Sequence, residues 1–115
     1  MKRDKLFLLK PDFEDPAFPG KRFYCSHCAL LEGVLAAFPD LARRLDIERV
    51  SWTRPRASVI ACAGESNQSL PLLILTDGSK SPWATGRFEG IAHIADIGKI
   101  LAALSDRHGF PSAHP

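Results

Sequence analysis

The sequence predicts a single α/β domain, residues 1–115, with a four-stranded mixed sheet flanked by about three helices. Short apolar runs typical of buried strands alternate with segments whose apolar residues recur every three or four positions, the spacing of a helix packed on one face. The first strand–helix–strand unit implies a parallel pair, because a long crossover is needed to join parallel neighbours. The last two strands have no helix between them, so the predicted order is β-α-β-α-β-β-α.

The four predicted strands are apolar segments bounded by turn-forming residues. They cover residues 6–9, 47–52, 70–75 and 86–94. The first strand consists of consecutive apolar residues, which is typical of a strand buried on both faces. Pro71 lies near the start of the third strand, where a strand tolerates proline because its missing N–H costs no ladder hydrogen bond there.

The three predicted helices are defined by apolar periodicity and by residues that begin or end helices. The first covers residues 26–38. The second starts at Pro55, since proline suits the first turn, and stops at Gly64. Asp96 is expected to cap the third helix, and Gly109 to end it.

Two connecting segments are notable. Residues 10–22, which precede the cysteines, contain three prolines and Gly20 and can form neither a helix nor a central strand. A loop of this length is unusual in a small domain and is often functional. After Pro39 the sequence predicts only a short turn over residues 41–45.

Chain length, composition and net charge indicate one ordered domain and argue against a nucleic-acid-binding protein. The chain has 115 residues, 45% of them hydrophobic, which is enough for one core and argues against disorder. The net charge of +2 and the short basic clusters do not indicate nucleic-acid binding. We interpret those clusters as solvated helix faces; they are Arg43-Arg44 and Arg54 with Arg56.

The lack of a recognisable targeting signal and the odd number of cysteines predict a cytoplasmic protein. No apolar run approaches the ~20 residues that span a membrane, and the apolar run near the N-terminus is shorter than the ~7–15 residues of a signal-peptide core. Three cysteines is an odd number, so a purely disulfide-bonded secreted domain fits poorly. In the cytoplasm thiols are mostly reduced, and a C-x-x-C pair there usually indicates redox or metal chemistry.

The stretch Phe-Tyr-Cys-Ser-His-Cys, residues 23–28, carries the main chemical signal. Cys25 and Cys28 are three residues apart at the start of the predicted helix, so they lie on the same side and can form a disulfide. The unpaired N–H groups of a first helical turn favour an anion at Cys25, and a thiolate is the attacking species in disulfide exchange. The hypothesis is that Cys25 attacks a substrate disulfide and the less exposed Cys28 resolves it. His27 between them could add positive charge or a hydrogen bond.

Two other readings of the pair stay open: a zinc site and two structural cysteines without chemistry. Zinc needs two further ligands, and although Cys62, His93 and His108 are available, no second pair has metal-ligand spacing. Cys62 lies in an apolar helical run and is interpreted as a small buried hydrophobic residue. The sequence therefore predicts no metal and no cofactor beyond the dithiol.

The motif Tyr24-Cys25-Ser26-His27-Cys28 at a helix start, with Leu70-Pro71 before an apolar strand, resembles the thioredoxin-like superfamily. Within it the Cys-x-His-Cys form looks closest to the disulfide oxidoreductases, and the tyrosine is similar to that of glutaredoxins. The likeness covers roughly residues 5–110. The sequence is also similar to a small bacterial family of thioredoxin-like proteins with no assigned substrate.

This resemblance implies a thioredoxin-like fold and a set of roles. Cys25 matches the nucleophile, Cys28 the resolving cysteine, and Pro71 a cis-proline. The backbone at Leu70 and Pro71 would pair with a bound peptide or glutathione, beside Tyr24 and Ser26. The implied partner is a disulfide-containing protein or a small thiol, with glutathione as an alternative co-substrate.

Two features depart from the family pattern. The loop 10–22 is longer than usual, and Ser26 stands where the oxidoreductases often have proline. A glycine pair for glutathione is also missing near Asp96. An alternative function is therefore a non-catalytic binding or adaptor module of the same fold.

Overall fold

The structure is a computed structural model and describes residues 3–115. Within this range the chain forms five strands and four helices. They are β1 (Lys5–Leu9), α1 (Ser26–Ala37), α2 (Pro39–Ala42), β2 (Asp46–Val50), α3 (Ala57–Ala63), β3 (Leu72–Ile74), β4 (Gly86–Phe88), β5 (Ile91–Ile94) and α4 (Ile97–His108).

All five strands belong to one mixed sheet with the order β2-β1-β3-β5-β4. β1 and β2 are parallel, with Leu6 opposite Ile47, and the other neighbours are antiparallel. The predicted α/β class, the mixed sheet and the parallel first pair are therefore confirmed. The number of elements differs: the sequence predicted four strands and three helices, whereas residues 3–115 form five strands and four helices.

The extra strand arises at residues 86–94, which were predicted to form a single strand. They form the hairpin of β4 and β5 instead, and Glu89 and Gly90 make its turn with φ angles of 49° and 81°. Two successive residues in the left-handed region reverse the chain and fit the tight turn of a two-residue hairpin. The single-strand prediction was therefore wrong at this turn.

The extra helix is α2, where only a short turn was predicted after Pro39. Pro39 ends α1 but is itself the first residue of α2. Proline suits that position because the first N–H groups of a helix have no intrahelical partner. Arg43 then lies at the end of α2, and its guanidinium pairs with Asp40 on the surface. The third helix of the chain, α3, also begins two residues later than predicted, at Ala57.

The sheet has a hydrophobic core on each face. Leu6 and Leu8 face the core under α1 and α4, whereas Phe7 faces the core under α3, and all three side chains are fully buried. This alternation along β1 confirms that the first strand is buried on both sides. Each face therefore packs against at least one helix, as a two-sided sheet requires.

The ends of α4 follow the sequence signals. The Asp96 carboxylate accepts a hydrogen bond from the Lys99 N–H at 2.9 Å, and Gly109 ends the helix with a φ of 75°. α1 and α4 have 12 residues each. No helix within residues 3–115 is long and apolar enough to cross a membrane.

A buried ion-pair cluster fastens the last helix to the start of the first strand. Asp4 is 3% exposed and accepts hydrogen bonds of 2.7 and 2.9 Å from the Arg107 guanidinium. The ring Nε2 of His108 lies 2.8 Å from the same carboxylate. The pKa of Arg107 is raised, mainly by its hydrogen bonds to Asp4. The cluster satisfies a buried carboxylate that would otherwise destabilise the fold.

Candidate functional site

Cys25 is the N-cap residue of α1. Its backbone is extended (φ −79°, ψ 121°), and its Sγ accepts a hydrogen bond from the Cys28 N–H at 3.3 Å. The sulfur thus takes the position that Ser or Asp side chains take in other helices, where unpaired N–H groups favour a negatively charged acceptor. The prediction that Cys25 lies at the helix start is confirmed.

Cys28 lies one turn further on and faces the core. It is 3% exposed, and its Sγ accepts a hydrogen bond from the Leu9 N–H at 3.4 Å. The pKa of Cys28 is raised to about 12, chiefly by burial and to a smaller extent by the neighbouring Cys25, while the Leu9 hydrogen bond acts in the opposite direction. Cys28 is therefore a neutral thiol near pH 7. Both cysteines are free, and Cys25 is the more exposed one, as predicted.

The β-sheet brings Pro71 to the same place. Phe7 of β1 lies opposite Leu72 of β3 in an antiparallel register, so the residues that follow Phe7 run beside those that precede Leu72. Leu9 therefore lies at the end of the sheet where Leu70 and Pro71 lead into β3. Leu70 packs against the core cluster that Cys28 belongs to and Cys25 borders. The Leu70–Pro71 peptide bond, for which the resemblance implied a cis conformation, is cis.

The other three residues singled out in the motif are on the surface. Tyr24 is 69% exposed, and Ser26 and His27 are exposed on the first turn of α1. The structure therefore brings Tyr24, Ser26 and His27 next to Cys25 without burying any of them. Their roles toward a substrate stay predictions.

A groove leads from the cysteines across the surface. A small recess of about 30 Å³ contains Cys25 and Cys28, and a neighbouring open groove has a volume of about 570 Å³. The two share four lining residues: Pro11, Tyr24, Ala29 and Glu32. Because of these shared walls, a molecule lying in the groove would pass close to the recess.

The long loop before the motif forms one wall of this groove. Phe13 and Phe23 exchange two backbone hydrogen bonds, of 2.9 and 2.7 Å, and close the segment between them. Arg22 donates to the Asp12 carboxylate at 2.7 Å and to Glu14 at 3.1 Å. The loop is thus held together by backbone hydrogen bonds and ion pairs between its own residues.

Aromatic contacts attach the loop to the segment that follows β2. The Phe13 ring stacks on Trp52 with centroids 5.9 Å apart and an angle of 13° between the planes. Phe18 meets the edge of Phe23 at 5.7 Å. Sequence reasoning recognised the loop but not this attachment, because aromatic residues 39 positions apart carry no local signal.

The sequence predicted that Arg56 belongs to a solvated helix face, and this prediction was wrong. It is 6% exposed. Its guanidinium donates to the carbonyl oxygens of Trp52 (2.6 Å), Gln68 (2.6 Å) and Ser51 (3.3 Å). The Gln68 side chain also accepts from the Arg56 N–H at 2.8 Å. Arg56 is buried because it joins two loops, a tertiary role that its sequence neighbours do not indicate.

The residues considered for zinc do not gather at the cysteine pair. Cys62 is half-buried on α3 and packs against the core on the opposite face of the sheet. His93 lies opposite Ile74 and Gly86 in the sheet. The His108 side chain is hydrogen-bonded to Asp4, at the other end of β1 from the cysteines. Within residues 3–115 no group of three or more His, Cys, Asp or Glu side chains is arranged to hold a metal ion.

Comparison with known proteins gives a family but no function. A family model described as a protein of unknown function, DUF3088, matches residues 3–112, which is nearly the whole chain. Neither a curated protein nor a solved structure matches the sequence.

Proposed function

The chain belongs to the DUF3088 family, and from its own geometry we propose that it is a thiol–disulfide oxidoreductase with a thioredoxin-like fold. One observation carries the proposal. Two free thiols lie one helical turn apart, with a partly exposed Cys25 at the N-cap and a buried Cys28 behind it. A partly exposed sulfur at a helix N-terminus is a typical environment for a reactive cysteine.

The sheet topology supports the thioredoxin-like part of the proposal. If β4 is treated as an addition at the edge, the order β2-β1-β3-β5 leaves one parallel pair, followed by antiparallel neighbours. The cysteine pair follows β1, and Pro71 precedes β3 at the same end of the sheet. If α1 and the short α2 are also counted together as one helical connection, the remaining elements run β-α-β-α-β-β-α.

The proposed reaction has two exchange steps. The Cys25 thiolate attacks one sulfur of a substrate disulfide, forms a mixed disulfide and expels the other sulfur as a thiolate, which takes up a proton. Cys28 then loses its proton and attacks the Cys25 sulfur, which releases the second substrate thiol and leaves a Cys25–Cys28 disulfide. The substrate gains two electrons and two protons, and the protein dithiol loses them.

Substrate and location are part of the same proposal. The substrate is a disulfide-containing protein or the disulfide of a small thiol, held in the groove beside Tyr24. Ser26 and the backbone at Leu70 and Pro71 would contact it from outside the groove lining. His27 would act from solvent on the leaving sulfur. A reducing cytoplasm would supply the dithiol form.

An insulin-reduction assay with dithiothreitol as electron donor tests the proposal. The wild type should accelerate reduction, and Cys25→Ser should lose the acceleration because it lacks the attacking sulfur. Cys62→Ser is the matched control, since Cys62 lies on the opposite face of the sheet, and it should retain full activity. Equal rates for wild type and Cys25→Ser would reject the proposed function.

A further inference from the structure

The groove beside the dithiol contains an arginine, Arg22, whose hydrogen-bonding groups are already occupied. Of the described residues that line the groove, it is the one cation. Its Nε donates to the Asp12 carboxylate at 2.7 Å, its Nη1 to the Glu14 carboxylate at 3.1 Å, and its Nη2 to the Asp12 carbonyl oxygen at 3.3 Å. Every nitrogen of this guanidinium therefore has an acceptor from the same loop.

The backbone of the loop aligns these partners. Phe13 and Phe23 form an antiparallel bridge, so the residue after Phe13 lies opposite the residue before Phe23, and these two are Glu14 and Arg22. Opposite charges in such cross-strand positions attract each other. The Arg22 side chain is 59% exposed, and the two carboxylate side chains are similarly exposed. The ion pairs are thus accessible from the groove and act on a ligand there through their charge.

An unoccupied arginine at this position would suit an anionic small thiol. Arginine binds carboxylates through paired hydrogen bonds, and glutathione carries more carboxylates than ammonium groups, so it is an anion at pH 7. In this chain Asp12 and Glu14 take the place of such ligand carboxylates on Arg22. A bound anion would have to displace them and would meet their repulsion, which lowers its affinity relative to a neutral ligand.

The rest of the groove suits neutral or basic side chains. Glu32, the other acidic lining residue, is bonded through both oxygens to Arg49 of β2, at 2.7 Å each. The three carboxylates and two guanidinium groups of these pairs thus have a net charge of −1. The uncharged lining residues are Pro11, Phe23, Tyr24 and Ala29. Because the groove adjoins the recess that contains Cys25, all of these side chains would meet the neighbours of a reacting substrate cysteine.

We propose that the groove selects polypeptide disulfides whose cysteine has neutral or basic neighbours, and that Asp12 and Glu14 are specificity-determining residues that disfavour anionic small thiols. This inference rests on the proposed function, since it names the substrate class of that site. It concerns the first exchange step, in which the Cys25 thiolate attacks a substrate sulfur, the substrate S–S bond breaks and the other sulfur leaves as a thiolate. Oxidised glutathione still reacts in this way, but more slowly than a matched neutral disulfide.

The test compares two peptides of equal length with a 2-thiopyridyl mixed disulfide on one cysteine, flanked by glutamates in one peptide and by glutamines in the other. Attack by Cys25 on the peptide sulfur releases pyridine-2-thione, which is followed by absorbance in the Cys62→Ser background. Each rate constant is divided by that with 2-mercaptoethanol, so that intrinsic differences between the peptides cancel. At low ionic strength the glutamine peptide should react at least about threefold faster, and added salt should reduce this preference.

Two loop variants should change the preference in opposite directions. Asp12→Asn/Glu14→Gln leaves Arg22 without its carboxylates, so the glutamate peptide and the 2-thiopyridyl disulfide of glutathione should react as fast as the glutamine peptide or faster. Arg22→Gln leaves both carboxylates unpaired and should enlarge the preference. Asp40→Asn/Glu65→Gln changes the net charge as much as the first variant, at exposed sites outside the groove lining, and should keep the wild-type ratio.

Three results would overturn the inference: a wild-type ratio near one, a wild-type ratio in Asp12→Asn/Glu14→Gln, and an equal change in the control Asp40→Asn/Glu65→Gln. Should a loop variant fail to fold, the ratio of the wild type and its dependence on salt decide alone.

The two proposals fail separately. An inactive wild type in the insulin assay, combined with a clear preference for the glutamine peptide, would reject the oxidoreductase and retain the selectivity of the groove. An active wild type with a ratio near one would reject only the role of Asp12 and Glu14.

Discussion

At the scale of single residues, the two sulfurs of the site have opposite environments. Cys25 is partly exposed at the helix start, whereas Cys28 is buried against β1 and bonded by the Leu9 amide. The raised pKa of Cys28 follows chiefly from burial. An attacking thiol benefits from exposure and a resolving thiol from protection, so this asymmetry fits the order of steps proposed above.

The burial of Cys28 predicts that stability declines at alkaline pH. The folded pKa of about 12 lies above the unfolded value, so the folded state holds its proton more tightly. The contribution is complete below the unfolded value of ~8.5 and is lost as pH rises toward the folded value, at up to about 1.4 kcal/mol per pH unit. Urea unfolding with a reductant present, at several pH values, measures this slope.

Cys28→Ser is the control for this slope, since its hydroxyl does not titrate in the same range. Its free energy of unfolding should fall less steeply between pH 8.5 and pH 10 than that of the wild type. Parallel curves for the two proteins would contradict the predicted effect of burial on Cys28.

Cys28→Ser should also trap the first exchange product. Treated with oxidised glutathione, this variant should accumulate a glutathione adduct on Cys25, because no second thiol can release it. The wild type should proceed to the Cys25–Cys28 disulfide. Intact-mass spectrometry distinguishes the two products, and Cys25→Ser serves as the control that forms neither. A stable adduct on the wild type would argue that Cys28 does not resolve.

At the scale of elements, the loop 10–22 is held by its contact with the segment after β2. Phe13→Ala removes the stacking on Trp52, an interaction worth about 0.5–1.5 kcal/mol beyond the area it buries. Amide hydrogen exchange should accelerate across residues 11–23, while exchange in β1 should change little. Phe18→Ala is the matched control: Phe18 is 55% exposed, and its aromatic contact is with Phe23 and not with the stacked rings of Phe13 and Trp52. Equal acceleration in both variants would contradict the assigned role of Phe13.

The contact between β1 and α4 depends on Asp4. Asp4→Ala would leave the Arg107 guanidinium without its buried partner, and breaking a buried pair in this way typically costs about 3–5 kcal/mol. Thermal and urea unfolding measure the loss. Asp40→Ala, which breaks the exposed pair with Arg43, should cost less than about 1 kcal/mol. Similar losses in the two variants would refute the importance given to burial.

At the scale of the whole molecule, the sequence correctly predicted those features that depend on neighbouring residues. The caps Asp96 and Gly109, the buried β1 and the position of Cys25 follow from residues within one or two turns of each feature. The hairpin at Glu89 was missed because a left-handed glutamate is uncommon and has no clear sequence signal.

The remaining features depend on residues that are distant in sequence. Asp4 and Arg107 are separated by 103 positions, and Arg56 reaches Gln68 across 12. Such contacts are created by the sheet register and by loop packing, which a single sequence does not define. The cysteine pair could therefore be predicted, whereas the buried position of Arg56 could not.

The hydrogen bond between the Leu9 amide and the Cys28 sulfur has a practical consequence. Leu9 is the last residue of the interior strand β1, and its backbone N–H donates directly to the atom whose bonding would change on oxidation. A single amide cross-peak in a heteronuclear NMR spectrum should thus report the fraction of oxidised protein in real time. Titration against a redox buffer would then yield the midpoint potential without any added label.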